Sequence, residues 1–590
     1  MLMILLQWCY VACTAFITGF AVLALLQRKS AYKVQSVSSC MMAGLLAQNV
    51  YAQYFSLFAG VGAGANLLMA LADCAALFLL RREIGQFLKK KKEETGRGRM
   101  LLYGFLVLLF AYGSSRGYMH YDTGLYHAQS IRWIEEYGVV PGLANLHSRF
   151  GYNSAAFALC ALFGGAGLTR EPMHCVQGFF ALICAVKCTA LLGPGKRNGV
   201  RLSDFLYAGC IFYLVAVFRE LVAPASDYFA MLLLFFVLMN WVELLERREK
   251  EIFPYALLSL CLVYAATVKL STAVLLVLAL QPAVWLIRQK KWKQIAGYIG
   301  LGVIIAFPYL ARNVLISGWL FYPFTFLDIF PVDWKIPKGY ADSDAAEIRV
   351  YAKEIYDVYQ KDMPFSEWFP NWLSAQTALD KMLVATGWVA VLAGGVLTAA
   401  VALRTAWMKA AKIRGKAAAG EEKEVARMER WSFVLLEGAA LLGFLFWQFG
   451  APLVRYGYFY VLFLPLVTFG ALYVQFLERA GDRSERSVLR RRKRGVILFR
   501  AILVAFLLYR GYNLCNMVLE FADQPYYVWQ QDYADCPADT YEVDGVTIYV
   551  PTDRGQIGYD KFPSSPVVQD IELRGDSLES GFKRKGNDAE

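Results

Sequence analysis

Apolar stretches recur about fourteen times along the chain, at roughly 2–26, 38–59, 66–80, 100–113, 173–192, 203–218, 227–245, 252–268, 270–287, 294–311, 380–403, 431–449, 456–477 and 496–509. No other feature constrains the fold as strongly. A bilayer core offers backbone amides and carbonyls no water, so a segment crosses it only as a helix or as part of a closed barrel. Continuous apolar runs approaching ~20 residues read as helices, because barrel strands alternate. The expected fold is an all-α polytopic membrane protein of about fourteen spans. Composition agrees: 57% of the 590 residues are hydrophobic and 18% charged, too few charges to coat several soluble domains.

A formal charge of +12 raises the question of a nucleic-acid partner. The basic residues, however, gather between apolar stretches: Arg28/Lys29/Lys33, Lys89–Lys92, Lys196/Arg197, Arg247/Arg248, Lys290/Lys291, Lys412/Arg414 and Arg490–Arg494. Clusters in alternate loops mark the cytoplasmic side, so they orient the chain and no nucleic acid is expected. Placing them all on one side requires that 152–165 not cross. That segment is short and ends in Gly164-Gly165, and it reads as an interfacial or re-entrant helix. The N-terminus then faces outward, and the first stretch, without a charged leader, reads as a retained anchor. Twelve cysteines, mostly inside apolar stretches and without ligand spacing, read as small core residues.

This topology sends 114–172, 312–379 and the tail 510–590 to the exterior. In the first loop, Tyr126, Trp133, Ile134 and Tyr137 share one helical face, and Gln129, Arg132, Glu135 and Glu136 share the other. That pattern predicts a helix lying flat on the bilayer. The second loop predicts an amphipathic helix near 344–361 with Ile348, Tyr351, Ile355 and Tyr359 as its stripe, then an aromatic belt of Trp368, Phe369 and Trp372. In the tail, two strand-like runs flank Asp544-Gly545, a type I′ hairpin signal, so a small exterior β-containing appendage is expected over 511–590.

Chemically capable residues concentrate on the same side. Asp122 stands just before the predicted helix, where it is either an N-cap or a proton acceptor. His120, Asp122 and His127 are ordinary ligand types for a divalent metal, with hydrogen-bonded interfacial histidines as the alternative. Asp227, Lys269, Arg312 and Arg455 are isolated charges at the exterior ends of apolar stretches. A charge at membrane depth costs at least ~2.5 kcal/mol, so each must line an aqueous cavity, find a partner or snorkel. Three cations and two aspartates on one side predict a polar cavity able to hold an anionic group such as a phosphate.

This order of parts resembles the GT-C class of polytopic glycosyltransferases, with Asp122 at the position of the acidic residue in a long first exterior loop and Asp227 at that of a second acidic site. Over nearly its full length the chain also resembles an uncharacterised family of bacterial polytopic membrane proteins. The segments carrying that likeness are 121–127 (YDTGLYH), Arg312-Asn313, 330–334 (FPVDW), 451–457 (APLVRYG) and 558–563 (GYDKFP). The GT-C resemblance implies a core over 100–510, preceded by extra spans in 1–99, in a bacterial inner membrane. It implies sugar transfer from a polyprenyl-phosphate donor to an acceptor glycan or lipid, with Asp122 as general base. Asp227, His127, Lys269, Arg312 and Arg455 would bind substrate and phosphate. Two departures stand out: three more spans precede the acidic loop, and Thr123 follows Asp122 where many GT-C members have a second acid. A carrier or lipid-glycan flippase would use the same cavity without chemistry, and a non-enzymatic envelope-polysaccharide assembly protein would work through its tail.

Overall fold

The computed structural model describes residues 1–165, 172–192, 199–413, 421–478, 485–553 and 555–586; Lys196, Arg197 and Arg414 lie outside them. The chain is mostly helical, and a helix occupies every apolar stretch. In order these are Leu2–Leu26, Val37–Phe55, Ala63–Glu94, Arg97–Ser115, Val176–Cys188, Leu202–Ala216, Ser226–Glu246, Ile252–Val268, Leu270–Ala279 continuing into Leu280–Arg288, Trp292–Ser317, Ala378–Ile413, Glu421–Gly450, Val454–Glu478 and Glu485–Glu520. Among the described residues, ten helices are long and apolar enough to cross a membrane, and Val176–Leu192, Leu202–Ala216 and Ile252–Val268 are apolar but shorter. Val37–Phe55 is more polar. It buries Gln48, Asn49 and Gln53, whose amides donate to Thr18, Tyr264 and Asn49.

Ser226–Glu246 is the central helix, buried along most of its length. The turns carrying Lys33, Lys187 and Arg247 meet at one end of the bundle. The segment after Arg97–Ser115 lies at the other end, where Tyr118 donates its backbone N–H to the carbonyl of Arg219.

Segment 152–165 contains only the eight-residue helix Ala155–Leu162, buried on every side. It is too short to cross, and protein covers its backbone, as a non-spanning element at membrane depth requires. Ser154 starts it and donates its hydroxyl to the carbonyl of Val268, 2.7 Å away.

Three amphipathic expectations change. Residues 124–137 form a π-helical turn, Thr123–His127, running into the helix Ala128–Glu136, and neither face is free. The polar face is covered by the tail, because Gln129 and Arg132 donate to the carbonyls of Tyr559, Asp560 and Lys561. The helix expected near 344–361 runs instead over Lys338–Ala352 and ends where Glu354 adopts φ 57°. Its buried side is Ala341, Asp344, Ala346 and Val350, whereas Tyr351 and Tyr359 are exposed. Trp368 and Trp372, expected in an interfacial belt, are buried within an aromatic cluster that includes Trp447.

The last helix extends to Glu520, and the tail follows it. Strands β1 (Ala538–Val543) and β2 (Val546–Pro551) pair antiparallel across Asp544 and Gly545, at φ 47° and 83°, as a type I′ turn demands. A second hairpin pairs β3 (Ile571–Leu573) with β4 (Phe582–Arg584). The tail docks on the loops: Phe582 donates its N–H to the Pro141 carbonyl at 3.0 Å, and Arg574 meets Asp333 at 2.8 Å.

Candidate functional site

Four helix ends converge beside the π-turn. Asp227 occupies the first turn of Ser226–Glu246, where the helix dipole favours a carboxylate. Lys269 is the extended residue (φ −148°, ψ 114°) separating Ile252–Val268 from Leu270–Ala279. Arg455 lies in the first turn of Val454–Glu478, which kinks at Gly457. A β-carbon there would fall 2.1 Å from Trp447 Cδ1, so the glycine admits the indole, whose Nε1 donates to the Leu453 carbonyl at 2.9 Å. Asp122 and His120 come from the segment after Arg97–Ser115.

These groups form one ion cluster. Lys269 Nζ lies 2.5 Å from Asp227 Oδ1, and Arg455 lies 2.9 Å from Asp122 Oδ2 and 3.8 Å from Asp227 Oδ2. Tyr456 presents its ring to both cations, with Lys269 Nζ 4.4 Å from the centroid and the Arg455 guanidinium carbon 5.2 Å from it. Arg455 Nη1 is 2.6 Å from His120 Nε2. Nδ1 lies 3.8 Å from Asp122 Oδ2. A neutral imidazole has one acceptor nitrogen, so the tautomer decides whether Nε2 accepts from Arg455 or Nδ1 accepts from the Asp122 backbone N–H 3.1 Å away. Burial, assisted by Arg455, lowers the His120 pKa, and burial takes His127 down to about 3, so both rings are neutral.

Asp122 is no N-cap. It already has helical φ/ψ (−67°, −14°), and its side chain caps no amide, because the carboxylate is held by Arg455. Nor do the residues form the metal site envisaged from the ligand types. Among the described residues no three His, Cys, Asp or Glu side chains are arranged to hold an ion, and the Arg455 guanidinium contacts both His120 and Asp122.

The cluster opens into a cavity of about 400 Å³ whose lining includes Asp122, His127, Asp227 and Lys269, with Tyr126, Tyr152, Tyr309, Tyr322 and Trp447 as aromatic walls. Arg312 does not reach it. Its guanidinium, 3% exposed, donates to Ser56 Oγ at 2.7 Å and Asn153 Oδ1 at 3.0 Å, tying helices together behind the cavity wall. Sequence reasoning missed two lining cations, Arg149 and Arg349. Arg149 lies 3.3 Å from Glu347, and Arg349 is exposed with no ion pair to a described residue. Asp227 and Asp122 offset Lys269 and Arg455, and Glu347 offsets Arg149, so Arg349 is the cavity cation without a carboxylate partner among the described residues.

The π-turn also anchors the tail. The carbonyl of Gly124 accepts from the amides of Ile557 (2.8 Å) and Gly558 (2.9 Å), and a β-carbon on Gly124 would sit 2.1 Å from Gln556 Oε1. The residues that shape one side of the cavity are therefore buttressed by chain more than four hundred positions away.

No curated protein and no solved structure is significantly similar to this chain. One family does match it, described as Domain of unknown function (DUF8201), over residues 1–462. That match takes in every member of the ion cluster, from His120 to Arg455, and most of the membrane helices, so the chain belongs to the DUF8201 family.

Proposed function

We propose that this protein is a membrane glycosyltransferase that moves a sugar from a polyprenyl-phosphate donor to an acceptor glycan or lipid. The observation that carries the reading is the meeting of Asp122, Asp227, Lys269 and Arg455, from separate helix ends, beside one aromatic-walled cavity. Asp122 takes the proton of the acceptor hydroxyl while that oxygen bonds to the anomeric carbon. The bond from this carbon to the phosphate oxygen breaks, the sugar is transferred with inversion, and polyprenyl phosphate departs. Lys269 and Arg455, with Arg149 and Arg349 across the cavity, stabilise the charge left on phosphate. Neutral His120 and His127 and the tyrosine hydroxyls offer hydrogen bonds to sugar hydroxyls, and the tyrosine rings offer faces to sugar rings.

The same proposal includes a GT-C-like core over 100–510 and fourteen crossings of a bacterial inner membrane, with the cavity and the tail outside. Its support is the helix at every apolar stretch and the gathering of Lys33, Lys187 and Arg247 at the end away from the cavity.

Asp122→Asn tests it. The amide keeps an oxygen for Arg455, and Asp227 still faces that guanidinium, so folding should survive. An amide cannot take a proton, and a general base contributes about 10²–10⁴-fold. Purified Asp122→Asn should transfer sugar from a polyprenyl-phosphate donor at least about a hundredfold more slowly than wild type. Transfer at the wild-type rate would remove Asp122 from the chemistry. Movement of a lipid-linked glycan across vesicles without transfer would make the protein a carrier.

A further inference from the structure

Ala63–Glu94 and Arg97–Ser115 are joined only by Thr95 and Gly96, and both pack on Leu2–Leu26, yet they barely touch each other. The gap between them, closed behind by Val176–Cys188, holds a cavity of about 970 Å³. Trp8, Ala12, Leu88, Val107, Phe179 and Ile183 give it apolar walls. The wall from Phe179 to Ala190 follows roughly 16 Å of helix at 1.5 Å per residue. That is a slot for an acyl chain.

One end differs. Lys91, Lys92, Arg99 and Lys187 line it with the hydroxyls of Ser36 and Ser38, and Glu94 is the single acidic residue there among the described ones. Lys91 is held by Glu94 at 2.5 Å, and Lys187 by Glu243 at 2.8 Å. Lys92 and Arg99 are exposed and have no carboxylate partner among the described residues. An apolar slot ending in uncompensated cations at a membrane boundary complements an amphiphile with an anionic head.

We infer that this groove is a binding site for an anionic glycerophospholipid. One acyl chain lies along Trp8, Ala12 and Phe179, and the phosphate meets Lys92 and Arg99 beside the Ser36 and Ser38 hydroxyls. A zwitterionic lipid brings a cation of its own to the same place and matches less well. The groove ends beside Lys187, away from the Asp122 cavity, so it is separate from the proposed reaction and stands whether or not that reaction does.

Trp8 supplies a reporter. The full-length protein in detergent is titrated with phosphatidylglycerol or phosphatidylcholine brominated in the acyl chain, and tryptophan quenching is followed. Phosphatidylglycerol should quench a component that Trp8→Phe removes, with half-saturation at least tenfold lower than for phosphatidylcholine. Lys92→Gln combined with Arg99→Gln should raise the phosphatidylglycerol half-saturation about tenfold, and Lys290→Gln combined with Lys293→Gln should not. Equal quenching of wild type by both lipids overturns the proposal, as does a double variant that titrates like wild type. Absence of any Trp8-dependent component means that protein, this chain or a second copy, fills the groove instead.

Discussion

Glu135 is 6% exposed, and its surroundings decide its charge. Burial pushes its carboxyl up to about 8, against the opposing hydrogen bond from Tyr559, whose hydroxyl lies 2.6 Å from Oε2. The folded protein therefore holds a proton that the unfolded chain releases near 4.5. This contribution to stability is fully present below that value and is lost as pH rises through about 8. His127 and His147 act in the opposite sense. Burial lowers each to about 3, so their contribution is present above the unfolded value of 6.5 and is lost as pH falls below it. Glu135→Gln keeps an acceptor for Tyr559 and stays uncharged at every pH. Its melting temperature should exceed that of wild type at about pH 8.5 and show no gain at about pH 5. An equal shift at both values would mean that charge is not the cause. The site residues show what single positions reveal in a sequence. Asp122 was legible because it stands just before a helical pattern in the first exterior loop, and Asp227, Lys269 and Arg455 because a charge ending an apolar run has few places to go. Arg312 has the same signature and turns inward to Ser56 and Asn153, because depth along a helix says nothing about which face a side chain takes. Arg149 and Arg349 carry no such signature, since neither ends an apolar stretch.

Elements were legible where one neighbour dominates and obscure where two compete. The type I′ hairpin at Asp544-Gly545 depends only on local φ preferences, and it forms as expected. Helix Ala128–Glu136 has the pattern of a surface helix, but residues 559–561 supply carbonyls to its polar face, and no local signal announces that. Arg132 carries much of this docking. It donates to the carbonyls of Tyr559 and Asp560 at 2.9 Å, and its guanidinium stacks 4.5 Å from the Phe562 ring centroid. Hydrogen bonds to a charged group contribute about 1.5–3 kcal/mol. Arg132→Ala should therefore open the docked segment 555–563 roughly tenfold or more often. Limited proteolysis of the full-length protein in detergent would read this as faster cleavage in that segment, with the membrane helices intact. An unchanged cleavage rate would place the anchor elsewhere, at the Gly124 carbonyl or at Arg574.

At the scale of the whole molecule, the open question is the number of crossings, and the short helices decide it. Val176–Cys188, Leu202–Ala216 and Ile252–Val268 fall below the ~20 residues of an ideal span. Yet each is tied at both ends to the level of the long central helix Ser226–Glu246. Gln177 accepts from the amide of Ala225 at one end, and Lys187 meets Glu243 at the other. Ser203 donates to Glu246, and Phe218, just past the end of that helix, packs on Phe110 near the close of Arg97–Ser115. The chain leaves Glu246, starts again at Ile252 and brings Lys269 back to Asp227. All three helices thus cover the depth of a helix long enough to cross, and local thinning or snorkelling costs only fractions of a kcal/mol per Å of mismatch. If all three cross, six spans separate Lys92 from Lys291 and both residues face the same side. If none does, only three spans intervene and the two face opposite sides. Single cysteines at 92 and 291 should therefore both resist a membrane-impermeant thiol reagent in intact cells. A cysteine at 361, one helix further on, should react, as should Cys536 in the tail. Labelling at exactly one of 92 and 291 would mean that an odd number of spans separates them, so that at least one of the three short helices packs inside the bundle without crossing.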